Sequence, residues 1–180
     1  EVQRMGPFTE RSDDIGVVMD LMIHDIDIIF SLINSPVKDL QSIGSSVMTD
    51  FEDVANARFE FENGSVANLT ASRVSPDARR EIRIYQDHNG VSLNLDYKDQ
   101  KVQMWRLKNG NPRSLDDVEI ITPPIESGES LRRELLHFIQ CIQEDRDPVV
   151  GGVEGMDAIK LAFDVVDVMK MGRKLNGVHG

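Results

Sequence analysis

Three polar residues lie on one line of a segment that is otherwise almost entirely apolar. Asp20, His24 and Asp27 are separated by four and three residues, and Ser31 continues the line four residues later. At about 100° of rotation per residue, a helix brings these side chains onto one face. We call Asp20, His24 and Asp27 the polar stripe. The surrounding residues, apart from Asp25, are apolar: Val17, Val18, Met19, Leu21, Met22, Ile23, Ile26, Ile28, Ile29, Phe30 and Ile33.

This segment predicts a helix that is buried nearly all round. Carboxylates and an imidazole in such a helix must be hydrogen-bonded within the fold or take part in binding or catalysis. Three interpretations are open. The polar stripe can be structural, because ion-pair networks produce such patterns. It can bind zinc or manganese through two carboxylates and one imidazole, although the other three histidines lie in no matching motif. It can handle a proton beside a substrate, with Asp20 orienting His24 or binding a sugar hydroxyl.

Outside this segment, the alternation of polar and apolar residues predicts hairpins followed by two helices. Apolar and polar residues alternate over 55–62, and Asn63-Gly64 is a favoured two-residue turn because both positions adopt positive φ. Asn89-Gly90 predicts a second turn of this kind. The other expected elements are a strand end at 1–5, strands at 43–48, 65–72, 82–86, 91–97, 101–107 and 118–121, and helices around 131–142 and 156–169.

This order of elements predicts an α+β fold with an open, mostly antiparallel sheet and helices packed on one face. No internal repeat or linker is present, so we expect 1–180 to be a single domain. The second face of the sheet needs solvent or another subunit to cover it, and we expect a homo-oligomer through this face. Its predicted residues are Asn56, Arg58, Glu60, Asn68, Thr70 and Ser72.

The charge balance narrows the classes of partner. Lys and Arg number 20 against 31 Asp and Glu, and the formal charge of -11 repels nucleic acid and anionic lipid. Cys141 is the single cysteine, which favours a reducing compartment. No apolar run reaches the ~20 residues of a membrane span, and no signal peptide is evident. We therefore expect a cytoplasmic protein with neither nucleic acid nor membrane as partner.

The segment from Asp14 to Asp27 resembles a segment in the second domain of the Gfo/Idh/MocA oxidoreductases, which carries aspartate, histidine and aspartate at the spacing of the polar stripe. These are NAD(P)-dependent enzymes of sugars, sugar nucleotides and inositols. The resemblance continues through 59–67 and through 131–162, and so covers nearly the whole chain. Residues 71–76 and 80–84 are faintly similar to members that oxidise UDP-N-acetylglucosamine.

The resemblance implies that 1–180 is a substrate-binding and oligomerisation domain. The family's Rossmann domain, with its G-x-G-x-x-G, and its glutamate-lysine-proline motif do not occur in this sequence, and the glycines of 151–155 lack the required spacing. We therefore expect the chain to be a fragment. In the full-length protein NAD or NADP is expected to be bound mainly by the missing N-terminal domain, with none bound tightly here.

The resemblance also implies roles for individual residues. Asp20 and His24 would line the substrate pocket, with His24 contacting or exchanging a proton with the hydroxyl being oxidised. Asp27 matches the family segment and either contacts substrate or is structural. Arg4 and Arg73 are further candidates for binding a phosphate or carboxylate, because a guanidinium presents a bidentate fork.

The function expected from these roles is hydride transfer from a secondary alcohol of a sugar or sugar nucleotide. Two alternatives belong to other classes. One is a noncatalytic sugar-binding or scaffold module of the same fold, in which the polar stripe is inert. The other is a metal-dependent hydrolase that uses the stripe as its ligand set.

Overall fold

Eight strands form one sheet in the computed structural model, which describes residues 1–9, 14–87, 90–108, 114–125 and 128–175. The strands are β1 (Val2–Met5), β2 (Val37–Ser45), β3 (Val54–Phe61), β4 (Val66–Ser72), β5 (Arg79–Gln86), β6 (Val91–Asp96), β7 (Lys101–Leu107) and β8 (Val118–Ile121). Their order is β2-β3-β4-β1-β5-β6-β7-β8. Neighbours are antiparallel except β1 and β4, which are parallel. The first strand therefore lies inside the sheet, between two groups of hairpins.

Helices pack on one face of this sheet. A π-helical turn (Val18–Met22) leads into α1 (Ile23–Leu32), a 3₁₀ turn (Leu115–Asp117) precedes β8, and α2 (Ser130–Glu144) and α3 (Gly152–Leu175) follow. α3 packs on α1 and on β2. The predicted α+β fold with an open, mostly antiparallel sheet is confirmed. No helix within the described ranges is long and apolar enough to cross a membrane.

The core lies between the helices and the inner face of the sheet. Phe30 of α1 contacts Phe59 and Phe61 of β3, with ring centroids 5.6 and 5.3 Å apart. Burying an aromatic or branched side chain of this size contributes roughly 1.5–3 kcal/mol. A Cβ added at Gly44 of β2 would collide with Met169 of α3, so this glycine permits the close approach of helix and strand. The fully buried apolar residues include Val2, Val17, Val18, Met22, Ile26, Ala55, Leu69, Ala71, Ala162 and Val165.

A turn containing Asn63-Gly64 joins β3 to β4, as predicted, but it is not the predicted two-residue turn with positive φ at both positions: Asn63 has a negative φ, and the Gly64 N–H donates to the Phe61 carbonyl at 3.0 Å. Gly64 has a φ of 85°, a left-handed conformation that favours glycine. The Ser65 N–H donates to Asn63 Oδ1 at 3.0 Å, which closes the turn. β5 and β6 of the second predicted hairpin also pair, while Asn89 itself lies outside the described residues.

The strand before the first hairpin differs from the one predicted at 43–48. β2 spans Val37–Ser45, and the chain bends over 46–51. The backbone N–H groups of 47–49 donate to the carboxylate of Asp53 instead of to a neighbouring strand. An acidic side chain that takes consecutive N–H groups competes with strand pairing, so the segment forms a loop.

Only one side of α1 is buried, whereas the sequence pattern predicts burial nearly all round. Asp25, the one charged interruption of the apolar pattern, is 1% exposed. His24 is exposed, and Leu32 is 57% exposed. The polar stripe therefore borders solvent and not the core, because the described part of the chain supplies packing partners for one side of the helix only.

The second face of the sheet carries the polar residues predicted for it, with one exception. Asn56 and Asn68 are exposed. Ser72 is instead buried, because its hydroxyl accepts hydrogen bonds from the Val74 N–H and the Ser75 hydroxyl. Farther along this face, residues paired across four strands form a row of partly to largely exposed side chains: Tyr85, Ser92, Trp105 and Ile120.

A shallow groove of about 380 Å³ runs across the same face. Its volume is within the roughly 300–1,000 Å³ of small-ligand sites. It lies on the side of the sheet opposite to α1, however, and so does not include the polar stripe. Its lining includes Gln41, Ile43, Asn56, Arg58, Asn68 and Thr70.

Candidate functional site

The polar stripe begins in the π-helical turn. The Ile23 N–H donates to the Val18 carbonyl, five residues earlier, whereas an α-helix bonds residues four apart. Turns of this kind are rare and occur frequently at functional sites. Asp20 lies in the π turn while His24 and Asp27 lie in α1, so the angle between Asp20 and the other two differs from that of a regular helix. Sequence spacing did not predict this difference, because it assumed one period throughout.

Glu52 caps the start of this turn. The Val17 N–H donates to the Glu52 carbonyl at 2.8 Å, and the Val18 N–H donates to Glu52 Oε1 at 3.4 Å. A Cβ added at Gly16 would collide with the Glu52 carboxylate, so the glycine makes room for the cap. A carboxylate in this position also complements the positive end of the helix dipole.

The loop that carries Glu52 is held by a buried ion pair. Asp53 accepts hydrogen bonds from the N–H groups of 47–49 and from Arg73 Nε, the last at 2.7 Å. Burial alone would raise the pKa of Asp53, but the hydrogen bonds outweigh it and hold that pKa well below its usual range. The Arg73 side chain is 5% exposed and also donates to Thr49 Oγ1. The structure thus places Arg73 beneath the loop, and its predicted contact with substrate stays a prediction.

Arg4, the other arginine predicted to bind substrate, also pairs with a carboxylate. Its Nε and Nη2 donate to the two Oδ atoms of Asp25, each at 2.9 Å, and the Tyr97 hydroxyl donates to Asp25 Oδ1 at 2.6 Å. Burial would lower the pKa of Arg4, but the hydrogen bond and charge of Asp25 raise it. Burial, together with the hydrogen bond to Asp25, raises the pKa of Tyr97. Arg4 therefore points at α1, and its contact with substrate likewise stays a prediction.

Sequence reasoning missed the partners of both arginines. One signal was available for Arg4: it shares a strand face with Val2, which is apolar, so its side chain points toward the core. Asp25, a lone charge among apolar helix residues, was the matching signal. No sequence signal pointed to Tyr97, because its contact depends on which strands are neighbours in the sheet.

The three residues of the polar stripe keep their polar atoms available. Asp20 and Asp27 are half-buried and His24 is exposed. Within the part of the chain that the structure describes, no side-chain hydrogen bond or ion pair engages any of them. Ser31, by contrast, donates to the Ile28 carbonyl of its own helix at 2.7 Å. Two carboxyl groups and an imidazole that no described side chain engages can bind hydroxyl groups and exchange a proton.

A metal centre is not supported by this arrangement. Across the described residues, no three His, Cys, Asp or Glu side chains lie close enough to hold a metal ion. The polar stripe therefore lacks the converging ligands that a zinc or manganese site requires.

Known proteins are similar to this chain over nearly its whole length. A family model described as the GFO/IDH/MocA C-terminal domain matches residues 2–92. The chain is 32% identical over 165 residues to a UDP-N-acetylglucosamine 3-dehydrogenase of Acidithiobacillus ferrooxidans, covering 92% of this chain and 52% of that protein. It is 23% identical over 168 residues to a scyllo-inositol 2-dehydrogenase (NAD(+)) of Bacillus subtilis, covering 87% and 46%.

Solved structures have the same fold. UDP-N-acetylglucosamine 3-dehydrogenase GnnA from Acidithiobacillus ferrooxidans superposes with a TM-score of 0.86 at 29% identity, covering 94% of this chain and 54% of that chain. Levoglucosan dehydrogenase in complex with NADH has a TM-score of 0.77 at 14% identity, covering 94% and 55%, and this likeness shows the fold alone. The chain spans about half the length of the curated relatives it matches.

Proposed function

Because this chain belongs to the GFO/IDH/MocA family, we propose that it is the substrate-binding half of an NAD(P)-dependent dehydrogenase acting on a sugar or sugar nucleotide. One observation carries the proposal. Among the described residues, no side chain bonds to Asp20, His24 or Asp27, while the neighbouring Asp25 is fixed by burial and an ion pair. Such a helix presents a fixed set of proton-handling groups to a ligand. The 32% identity to a UDP-N-acetylglucosamine 3-dehydrogenase supports a sugar nucleotide as the substrate class.

In this proposal, the polar stripe acts on the hydroxyl of the substrate. Oxidation of a secondary alcohol removes a hydride from carbon and a proton from oxygen, and NAD(P)⁺ supplies the hydride acceptor when bound. His24 takes the hydroxyl proton, which lets the carbonyl form, and returns it in the reverse direction. Asp20 orients the imidazole or binds a neighbouring hydroxyl. Asp27 binds the substrate one helical turn farther along.

The described residues do not themselves fit a dinucleotide cradle. The glycines of 151–155 open α3, and the Gly151 N–H donates to Glu154 Oε2 at 2.8 Å. A carboxylate at this position repels a pyrophosphate, which would need the same N–H groups. We therefore assign cofactor binding to another half of a longer protein, and expect no tight binding of NAD(P) by this chain.

Exposed apolar side chains of α2 and of α3 support the assignment of cofactor binding to another domain. Monomeric proteins rarely expose an apolar patch larger than about 300–600 Å². In this chain ten large apolar side chains of the two helices are between 45% and 66% exposed. We propose that a nucleotide-binding domain covers this face, which we call the helical apolar face. Its residues are Leu131, Leu135, Leu136, Phe138, Ile139, Ile142, Val153, Met156, Ile159 and Phe163.

The second face of the sheet supports a homo-oligomer. Tyr85 of β5, Trp105 of β7 and Ile120 of β8 are 64%, 43% and 57% exposed, and Ser92 of β6 lies between the first two. Aromatic side chains are enriched in protein interfaces, where their area is buried at low entropic cost. We propose that two copies of the chain associate through this face.

The deciding experiment measures turnover in the full-length enzyme. His24→Ala and Asp20→Ala should each lower kcat, by about 10²-fold or more for His24, because general acid–base groups contribute about 10²–10⁴-fold. Ser31→Ala is the matched control on the same helix face, and its kcat should equal that of the parent. If both stripe variants keep normal turnover, the proposed roles are wrong. If the full-length parent binds the sugar but has no turnover with NAD or NADP, the noncatalytic module is favoured instead.

A further inference from the structure

We propose that Arg4, Asp25 and Tyr97 form a positioning cluster that sets the rotation of α1 and thereby directs His24 and Asp20 at the substrate. This inference rests on the proposed function. Asp25 directly follows His24, so any rotation of the helix that moves one moves the other. The three members of the cluster come from β1, from α1 and from the residue after β6.

The geometry of the cluster is directional. Arg4 Nε donates to Asp25 Oδ2 and Arg4 Nη2 donates to Asp25 Oδ1, each at 2.9 Å, so the guanidinium and carboxylate meet in a bidentate pair. The Tyr97 hydroxyl donates to Asp25 Oδ1 at 2.6 Å and accepts from Arg4 Nη2 at 3.2 Å. The Arg4 guanidinium carbon also lies 5.3 Å from the centre of the Tyr97 ring. All three side chains are thus joined pairwise.

The cluster ties the helix to an interior strand of the sheet. β1 is paired on both sides, with β4 and with β5, so the backbone of Arg4 is held by two strands. The side chain of Asp25 is 2% exposed and that of Arg4 is 12% exposed, so water does not compete for these bonds. A rotation of α1 by a fraction of a turn would break both bonds of the fork at once.

Apolar packing alone would not fix this rotation. Hydrophobic burial is non-directional, so the burial of Ile26 and Ile29 does not by itself select one rotation of the helix. Glu52 caps the first turn, but the N–H groups that bond to it belong to Val17 and Val18, more than one helical turn before His24. The Arg4–Asp25 ion pair, in contrast, is a directional contact made by the residue that directly follows His24.

The cluster is a weak explanation for stability, which favours a positioning role. Replacing a buried ion pair with apolar residues of similar volume is often neutral or stabilising, whereas removing one partner leaves an uncompensated charge. The paired substitution Arg4→Met with Asp25→Leu therefore separates the two roles. It keeps the volume of the cluster and removes its directional bonds.

The experiment compares this paired variant with the parent in the full-length enzyme. We expect an unchanged unfolding midpoint, an unchanged substrate KM within about twofold, and a kcat lowered about tenfold or more, because a small misplacement of a reacting group has costs of this size. The exposed pair Arg106 and Glu119, changed together to Gln, is the control and should leave kcat and KM unchanged. A parental kcat in the folded paired variant would overturn the proposal.

Tyr97→Phe keeps the test decisive if the paired variant does not fold. It removes one hydroxyl and leaves the Arg4–Asp25 fork intact. We expect kcat to fall severalfold at constant KM, and we expect no further fall when Tyr97→Phe is added to His24→Ala, because the hydroxyl acts through His24. Equal effects of Tyr97→Phe in both backgrounds would contradict the positioning role.

A spectroscopic readout separates failure of this inference from failure of the proposed function. If His24→Ala leaves kcat unchanged, the proposed function fails, and the cluster is then judged from NMR spectra of the enzyme. The ring-proton shifts of His24 should change in Tyr97→Phe and stay as in the parent in the Arg106/Glu119 control. Unchanged His24 shifts in Tyr97→Phe would show that the cluster does not orient this side chain.

Discussion

Two buried carboxylates of this chain each pair with an arginine and hold its side chain inside the fold. Asp25 and Asp53 are 1% and 0% exposed, and a buried carboxylate is costly unless it is paired. Arg4 and Arg73 supply the partners, so their guanidinium groups point into the fold. At the scale of single residues, the need to neutralise buried charge therefore outweighs the general tendency of arginine to face solvent.

Asp53→Asn should destabilise the domain by about 3 kcal/mol at neutral pH, because it removes the negative charge to which the buried Arg73 guanidinium donates. The pKa of Asp53 is lower in the folded protein than the value of about 3.9 in an unfolded chain, so on acidification the unfolded chain binds the proton first. The stabilisation is thus complete above about pH 5 and is lost as pH falls below about 4 toward the folded pKa.

Urea unfolding as a function of pH checks this prediction. The parent and Asp53→Asn should differ most near neutrality, and their free energies of unfolding should approach each other as the solution is acidified. Asp39→Asn, at an exposed position of β2, is the control and should track the parent. A constant difference between parent and Asp53→Asn at every pH would show that Asp53 is not the titrating group.

At the scale of elements, a loop and a helix are coupled. The segment over 46–53 is shaped by Asp53 and in turn caps the π-helical turn through Glu52. The absence of a side chain at Gly16 lets the two segments meet. The start of the helix that carries the polar stripe is therefore defined by the β2–β3 loop as much as by its own sequence.

Gly16→Ala should lower the free energy of unfolding by about 1–2 kcal/mol, because the new methyl group displaces the Glu52 carboxylate from the cap. Adding Glu52→Ala should then have a smaller effect than it has in the parent, since the cap is already lost. A double-mutant cycle by urea unfolding measures this coupling.

Gly155→Ala is the matched control for that cycle. Its added Cβ meets no atom within 4 Å, and alanine in place of helical glycine should stabilise the domain by about 0.5–1 kcal/mol. Strict additivity of Gly16→Ala and Glu52→Ala would mean that the glycine does not act through the cap.

At the scale of the whole molecule, two large surfaces lack partners within the described structure. The helical apolar face and the row of Tyr85, Trp105 and Ile120 lie on different layers of the domain, one on helices and one on the sheet. One protein domain does not readily cover both of these surfaces. This separation is consistent with one surface for another domain of the same protein and one for a second copy.

Leu135→Glu with Phe138→Glu distinguishes the helical apolar face from an ordinary exposed surface. In the isolated chain, where these side chains are 54% and 57% exposed, the pair should change the free energy of unfolding by no more than about 1 kcal/mol. In the full-length protein the same pair should cost several kcal/mol, because the charges are then buried in an interface. Lys160→Gln, exposed on α3, is the control for both forms.

Urea unfolding of both forms measures this difference. A cost that is equally small in the isolated chain and in the full-length protein would show that no domain covers the face.

Trp105→Glu tests the proposed association through the sheet. Like charges brought together across a two-fold interface repel, so the variant should sediment as a monomer at a concentration where the full-length parent is oligomeric. Leu32→Glu, exposed on α1 and remote from the sheet face, should leave the oligomer intact. A monomeric parent at high concentration would contradict the association itself.

The local sequence was sufficient for the hairpins, for the order of elements and for the polar stripe. Gly64 adopts the left-handed conformation that glycine favours and so marks the turn, although the two-residue turn type predicted from Asn63-Gly64 is not the one formed, and alternation assigns each strand residue to a face. The resemblance of the stripe segment to a family also depended only on residues close in the chain. These features are predictable because their physical causes act over a few residues.

Only the tertiary structure decided which charges meet. Arg4 and Asp25 are 21 residues apart, and Tyr97 is 72 residues beyond Asp25. These three residues come together because β1 inserts between β4 and β5 and so lies under α1 near the end of β6, an arrangement that no local pattern encodes. The π turn is likewise capped by Glu52, which belongs to a loop more than 30 residues farther along the chain. Contacts of this range follow from the pairing of strands, and therefore from the fold as a whole.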